Sequence, residues 1–280
     1  MIQTDPNEQR PGIHRDTPSD ETLGRKVLVG VAVAVALAAV AWWWFSREAP
    51  VTTVEEPAVA PALVAEEPAA VRHPVDAPPA EALAEPLPPL DDSDPRAAEE
   101  ISALVGAPAF GELFLGESLA RRFVSTVDNL PRRELPVAQR PMRGASGLFL
   151  AAGEEGSPVI DEANFARYES YVRLATLLDA RAAVGTYQRF YPLLQQAYEE
   201  LGYPGRYFND RLVEAIDDLL AAPEIEGPVP LVRPNVFYEF ADPALEARSA
   251  GQKILIRMGP SNARRVKAKL IEIRALLAKG

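Results

Sequence analysis

The residues best suited to binding chemistry lie together in the run GYPGRYFNDR, from Gly202 to Arg211. A Pro-Gly turn, an arginine and aromatic residues lie here, where a new helical pattern begins. Exposed loops often carry binding groups, and the N-terminus of a helix favours anions. The candidate binding residues are Tyr203, Arg206, Tyr207, Asn209 and Arg211. In the alternative interpretation, the aromatic rings pack a corner between two helices and Asn209 only caps the second helix.

Acidic residues follow this run and invite comparison with the carboxylate pairs of glycosidases. Asp210, Glu214 and Asp217 are spaced at i, i+4 and i+7, however, with Asp218 beside them. This spacing lies opposite the apolar stripe of the same predicted helix, which is typical of a solvated helix face. The sequence therefore assigns no catalytic residue.

The residue types that are missing narrow the chemistry further. The chain has no cysteine and two histidines. His14 and His73 both lie before the predicted folded region, so Ser-His-Asp catalysis and zinc sites of the usual Cys or His type have no residues to use there. We expect no metal site and no cofactor, and a protein that is not an enzyme.

Positive charge is concentrated at the C-terminus. The run ILIRMGPSNARRVKAKL has an outline similar to helix-hairpin-helix DNA-binding motifs, whose turn glycines expose amides to phosphate. Met258 stands where the second turn glycine of those motifs would be. The alternatives are a charged terminal helix that packs through its apolar side, and attraction to anionic lipid or wall polymer.

One segment is long and apolar enough to cross a bilayer. Residues 27–45 (VLVGVAVAVALAAVAWWWF) carry no charge and would span about 28 Å as a helix. A cleaved signal peptide is the rival interpretation, but WWWFSRE offers no small-residue cleavage site. We therefore predict an uncleaved transmembrane helix that contacts membrane lipid.

The orientation of this helix follows from positive charge. Arg10, Arg15, Arg25 and Lys26 precede it, whereas only Arg47 follows closely. The positive-inside rule then places the tail, residues 1–26, in the cytoplasm, and the C-terminal domain in the periplasm of a Gram-negative cell. The predicted location is the inner membrane.

A Pro-rich acidic segment separates the predicted membrane helix from the rest. Eleven prolines and eleven acidic residues lie between Glu48 and Pro95, against Arg72 as the single basic residue. Such a composition buries too little apolar surface to offset the entropy of ordering. We predict a disordered tether over residues 46–93.

Residues 94–280 have the pattern of a mainly α domain. Apolar residues recur at helical spacing, and the predicted N-caps are Asp94, Asp179, Asn209, Ser249 and Ser261. The run from Gly147 to Ile160 holds two short apolar stretches around a Gly-Glu-Glu-Gly turn, which predicts a small β-hairpin. The predicted fold is thus a single transmembrane helix plus a multi-helix globular domain with one hairpin.

Three stretches of this region resemble a bacterial family of domains of unknown function, number 3014. They are RRFVSTVDNLPR from Arg121, ELGYPGRYFNDRLVEAIDDLLAAPEIEGPVPLVRPNVFYEFADP from Glu200, and GQKILIRMGPSNARRVKAKLIEI from Gly251. The resemblance covers roughly residues 91–280. It implies an anchored, mainly helical domain, and it carries no activity, cofactor or catalytic residue.

These observations favour a membrane-anchored interaction or scaffold domain that faces the envelope space. Its partner would be an envelope protein or the cell wall, and weak self-association is compatible with the sequence. One alternative is a hydrolase that acts on envelope glycans or peptides through Asp, Glu or Ser groups. The second alternative is a nucleic-acid-binding module, which requires the opposite membrane topology; with the topology above, no nucleic acid is expected.

Overall fold

A computed structural model describes residues 70–75, 86–154 and 156–278. All of them belong to one unit of the chain, Glu66–Gly280. The predicted tail and transmembrane helix, residues 1–45, lie outside the described residues. Among the helices that are described, none is both long and apolar enough to cross a membrane.

The first half of the described chain is helical up to the predicted hairpin. A 3-10 turn, Leu90–Asp92, leads into α1. The following elements are α1 (Asp94–Val105), α2 (Ala107–Leu113), α3 (Leu119–Asn129), a 3-10 turn (Val137–Gln139), β1 (Ala151–Ala152) and β2 (Val159–Ile160).

The second half holds the longest helices and a second pair of strands. Its elements are α4 (Ala163–Ala166), α5 (Glu169–Leu177), α6 (Ala180–Glu200), α7 (Phe208–Leu220), β3 (Leu231–Val232), β4 (Glu239–Phe240), α8 (Pro243–Glu246), α9 (Ala250–Arg257) and α10 (Pro260–Leu277). The prediction of a mainly helical domain is confirmed.

The predicted hairpin is confirmed and a second one accompanies it. β1 and β2 pair antiparallel, with Ala151 opposite Ile160. β3 and β4 also pair antiparallel, with Leu231 opposite Phe240. The sequence did not predict this second hairpin. An isolated bridge from Val159 to Pro230 joins the two hairpins.

Two of the predicted N-caps are confirmed by side-chain hydrogen bonds. The Asp179 carboxylate accepts the N–H of Ala182 at the start of α6. The Ser249 hydroxyl accepts the N–H of Gln252 at the start of α9. In both cases the cap and its partner are three residues apart, so the local pattern was enough to find them.

The other three predicted caps are wrong, each because another group takes the role. Asp94 lies inside α1, and its carboxylate accepts the N–H groups of Ser118 and Leu119 at the start of α3. α10 begins at Pro260, because Gly259 turns the chain with a positive φ of +85. Ser261 is therefore already helical. Asn209 lies in the first turn of α7, with its side chain directed to more distant partners.

The main core lies where α1, α3, α6 and α7 meet. Its buried side chains include Val124, Phe190, Leu194 and Phe208, and Phe208 is fully buried. The C-terminal helix α10 packs against α5, α6 and α7. The start of α7 is thus fixed from two sides, which positions the corner singled out in the sequence.

Candidate functional site

The corner between α6 and α7 is built around aromatic packing. The rings of Tyr198 and Tyr203 stack with centroids 4.6 Å apart. Tyr198 also contacts the ring of Phe208, at 5.5 Å. Burial of these rings removes large apolar areas from water. The corner therefore packs in the way that the alternative interpretation of the sequence expected.

A buried carboxylate, Asp128 of α3, holds one side of the corner. Its side chain is 7% exposed and lies 2.9 Å from the Arg132 guanidinium and 3.1 Å from that of Arg211. The Tyr203 hydroxyl donates to the same carboxylate at 3.3 Å. Buried charges are stable when they are paired and hydrogen-bonded, as here. Asp128 was not singled out in the sequence, since its partners lie up to 83 residues away.

The electrostatics of this side follow from that carboxylate. The hydrogen bond to Asp128 raises the pKa of Arg132 above its usual value. Burial, with the nearby Asp128 charge as a second cause, raises the pKa of Tyr198 to about 12. Arg132 therefore stays charged and Tyr198 stays neutral at physiological pH.

The other side of the corner contacts the strap, as we name residues 70–75. The Asp210 carboxylate accepts the main-chain N–H of Arg72 at 3.1 Å and that of His73 at 2.7 Å. The side-chain amide of Asn209 donates to the His73 carbonyl at 2.9 Å. Part of the sequence assigned to the tether thus lies against the folded region.

Tyr187 of α6 fixes the orientation of the Asn209 amide. Its hydroxyl donates to Asn209 Oδ1 at 2.9 Å. Burial raises the pKa of Tyr187 far above its usual value, so the hydroxyl remains a donor. With Oδ1 engaged by Tyr187, the Nδ2 group faces the strap.

The remaining two predicted residues lie on the turn itself. Tyr207 is half-buried and precedes the first residue of α7. Arg206 is exposed, and its carbonyl accepts the Gln195 side-chain N–H at 2.7 Å. The Gln195 side-chain oxygen accepts the N–H of Phe208 at 2.9 Å. One glutamine of α6 thus ties the turn to the start of α7.

The structure therefore distributes the five predicted residues over three environments. Arg211 and Tyr203 join Asp128, Asn209 joins Tyr187 and the strap, and Arg206 and Tyr207 remain on the turn. The corner is one place in the fold, but its polar groups serve two separate networks.

Comparison of the sequence with known protein families places the chain in one of them. Residues 119–274 match the model described as "Protein of unknown function (DUF3014)". The chain belongs to this family. No curated protein and no solved structure matches it. The matched range begins at the first residue of α3, so it contains Asp128, Asn209 and Asp210 but not the strap.

One acidic residue of α7 is not exposed to solvent as the sequence predicted. Asp210 is 8% exposed rather than solvated, because the strap covers it. Glu214 and Asp217 are exposed, as predicted, and each has a basic partner. Glu214 pairs with Arg211, and Asp217 pairs with Arg274, whose hydrogen bond lowers the pKa of Asp217.

The basic residues of α10 mostly face acids of the same domain. Arg264 pairs with Glu226 at 2.6 Å, and Lys269 pairs with Glu272 at 2.6 Å. Lys267 donates to the Ala222 carbonyl at 2.6 Å. This agrees with the interpretation of a charged terminal helix, and its Leu277 is buried against α6 and α7 residues. Within the described ranges, no group of three metal-ligating side chains occurs.

The two hairpins carry an apolar surface that sequence analysis missed. Leu148, Val236 and Phe237 are 85%, 69% and 80% exposed, and we call them the hairpin surface. Leu148 precedes Phe149, and Phe237 precedes Tyr238; the rings of Phe149 and Tyr238 are 5.8 Å apart. The chain segments that carry these exposed residues therefore lie side by side.

Proposed function

We propose that this chain is a membrane-anchored interaction domain of the bacterial envelope, and that it binds a partner protein through the hairpin surface. Residues 27–45 would anchor it in the inner membrane with the N-terminus in the cytoplasm. The domain would then stand in the periplasm. The proposal requires no catalytic residue and no cofactor.

The hairpin surface is the observation that carries this proposal. Exposed large apolar side chains that occur singly are ordinary, but neighbouring ones mark interaction sites. Phe237 and Val236 lie in the turn between β3 and β4, and Leu148 lies just before β1. Aromatic residues in particular contribute strongly to the binding energy of protein interfaces.

The turn that presents Phe237 is held in shape by its own contacts. Arg233 donates to the Val236 carbonyl at 3.1 Å. The same guanidinium lies 5.4 Å above the ring of Tyr238. A preorganised surface loses less entropy on binding than one that must first be ordered.

Membrane anchoring and orientation rest on the sequence. The uncharged stretch 27–45 and the basic residues before it support them. Protease treatment of intact spheroplasts tests the topology directly: the domain should be digested without breaking the inner membrane. Protection of the domain in intact spheroplasts would contradict both the topology and the periplasmic location.

Photo-cross-linking in living cells tests the interaction. A photoreactive benzoylphenylalanine at position 237 should give a discrete cross-linked protein, and Leu148→Ser in the same chain should weaken that product. Position 177 is the matched control, because Leu177 is 77% exposed but lies at the end of α5, in another part of the fold.

The products distinguish the possible partners. A product of a single larger mass identifies an envelope protein, and a product of twice the chain's mass identifies a second copy as the partner. Equal products from positions 237 and 177, or none from position 237, would contradict the proposal that the hairpin surface is the binding surface.

A further inference from the structure

We infer that the first turn of α7 is a binding site for peptide main chain, and that the strap is its ligand within the same molecule. The site consists of Asn209 and Asp210, with Tyr187 behind them. It is separate from the hairpin surface, and it is the only place in the described ranges where residues 70–75 make side-chain-mediated hydrogen bonds to a helix.

All three hydrogen bonds of the site reach main-chain atoms of the strap. Asp210 accepts two successive N–H groups, those of Arg72 and His73, and Asn209 donates to the carbonyl of His73. Successive N–H groups of an extended strand point to opposite sides, so one carboxylate reaches both only where the chain bends. The strap does bend at residues 72 and 73.

The side chains of the strap contribute much less. The Arg72 side chain is 66% exposed, and its Nε lies 3.9 Å from Asp210 Oδ2. An exposed ion pair of this length adds little, because solvent screens it. The residue after His73 is Pro74, which has no N–H and restricts the backbone of His73. The ligand class is therefore a bent peptide with two free N–H groups and a carbonyl just before a proline.

The site itself is shielded from solvent. Asn209 is 1% exposed and Asp210 is 8% exposed. Asp210 presents only acceptors and therefore selects N–H donors; it would repel phosphate or a ligand carboxylate. If the partner of such a buried group leaves and no water replaces it, the folded domain becomes less stable. The strap itself is different, since Val71, Arg72 and Pro74 are exposed.

Occupation of the site shortens the chain that separates the domain from the predicted membrane helix. With the strap bound, residues 46–69 make up that chain, which reaches at most about 85 Å. With the strap released, residues 46–85 make it up, and the limit rises to about 140 Å. The strap would thus set the reach of the domain, a consequence that rests on the anchor proposed above. The binding of the strap does not depend on the anchor.

The absence of cysteine makes the test direct, because two spin labels can be placed in the full chain without removing native thiols. We choose Val71→Cys in the strap and Ala221→Cys after the end of α7, both at exposed positions. Pulsed electron–electron double resonance should give one narrow distribution of the distance between the two labels. His73→Pro removes the N–H group that makes the shorter of the two hydrogen bonds to Asp210. It should at least double the width of the distribution.

His73→Ala is the matched control, because it removes the imidazole but keeps the N–H group. We expect it to leave the distribution unchanged. Asp210→Ala should reproduce the effect of His73→Pro from the other side of the contact. The inference is overturned if His73→Pro leaves the distribution narrow, or if His73→Ala broadens it equally. Because His73→Pro alters only the strap, loss of folding in Asp210→Ala does not obscure the result.

A free peptide tests whether the site accepts a ligand from another molecule. The peptide AAVRHPVDA, residues 69–77, should displace the strap at millimolar concentration, since tethered ligands have effective concentrations of that order. The same peptide with proline in place of histidine should fail. Equal displacement by both peptides would rule out main-chain recognition. Failure of the anchor proposal would appear in the spheroplast assay and not in these distances.

Discussion

Two buried carboxylates flank the corner between α6 and α7, and they are compensated in opposite ways. Over the whole residue, Asp128 is 5% exposed and Asp210 is 8% exposed. Asp128 accepts hydrogen bonds from two guanidinium groups, those of Arg132 just after α3 and Arg211 of α7, and from the Tyr203 hydroxyl on the turn between α6 and α7. Asp210 is met by main-chain N–H groups from a segment 137 and 138 residues earlier in the chain. The two carboxylates are therefore buried to a similar degree but by different kinds of partner.

The difference lies in what happens when the partners leave. Arg211 lies in α7 and its side chain is 14% exposed, so its guanidinium cannot leave Asp128 without disturbing the packing of that helix. The strap around Asp210 can leave, and water can then solvate both the carboxylate and the released N–H groups. A charge paired inside the core is structural, whereas one paired with a detachable segment is suited to reversible binding.

Asp128→Ala should have the largest effect on stability. It leaves Arg211, whose side chain is 14% exposed, without its carboxylate inside the domain. Removal of one partner of a buried ion pair costs about 3–5 kcal/mol of the free energy of unfolding. Urea denaturation followed by circular dichroism measures this. Glu214→Ala is the control, because it removes the exposed partner of the same arginine and should cost less than about 0.5 kcal/mol.

Asp210→Ala should cost less, about 1–3 kcal/mol, because water replaces the lost acceptor once the strap is released. The same denaturation experiment measures the difference between the two variants. A loss for Asp210→Ala as large as that for Asp128→Ala would contradict the distinction between the two carboxylates. It would mean that the strap is as integral to the domain as the arginines around Asp128.

The sequence predicted the features that depend on neighbours in the chain. Asp179 and Ser249 cap helices through residues three positions away, and the Gly147–Ile160 hairpin closes over a short turn. A local pattern contains all the information that such features need.

The features that sequence analysis missed depend on contacts between distant residues. Asn209 has the residue type and position of an N-cap, but its side chain bonds a tyrosine 22 residues earlier and a carbonyl 136 residues earlier. Asp210 has the spacing of a solvated face, yet the strap covers it. Asp94 caps a helix 25 residues later along the chain. No local pattern could indicate these partners.

Tyr187→Phe should have a smaller and more specific effect. It removes the donor to Asn209 Oδ1 and leaves that buried oxygen without its partner, at a cost of about 1–2 kcal/mol in the free energy of unfolding. It should also broaden the strap distance distribution, since the Asn209 amide is no longer held in one orientation.

Tyr191→Phe is the control for this variant. Its hydroxyl donates to Gln195 Oε1 at 3.0 Å, and that oxygen keeps the Phe208 N–H as a donor after the substitution. The expected loss is therefore smaller, and the strap should stay in place. Equal broadening by the two variants would show that Tyr187 has no particular role in orienting Asn209.

Arg206→Ala should have the smallest effect on stability and separates two arginines that the sequence could not rank. Arg206 is exposed on the turn, whereas Arg211 is directed at Asp128. We expect Arg206→Ala to change the free energy of unfolding by less than about 0.5 kcal/mol, as exposed substitutions usually do. Arg211→Ala should cost several times more, because it leaves the buried Asp128 with one fewer cation. Thermal unfolding at equal expression, together with complementation of a deletion strain, measures both consequences.

A stable Arg206→Ala variant that fails to complement would make Arg206 a contact for an acidic ligand, since the guanidinium fork suits carboxylate and phosphate groups. A stable variant that complements fully would remove Arg206 from the binding site, and a strongly destabilised one would make it a structural residue like Arg211.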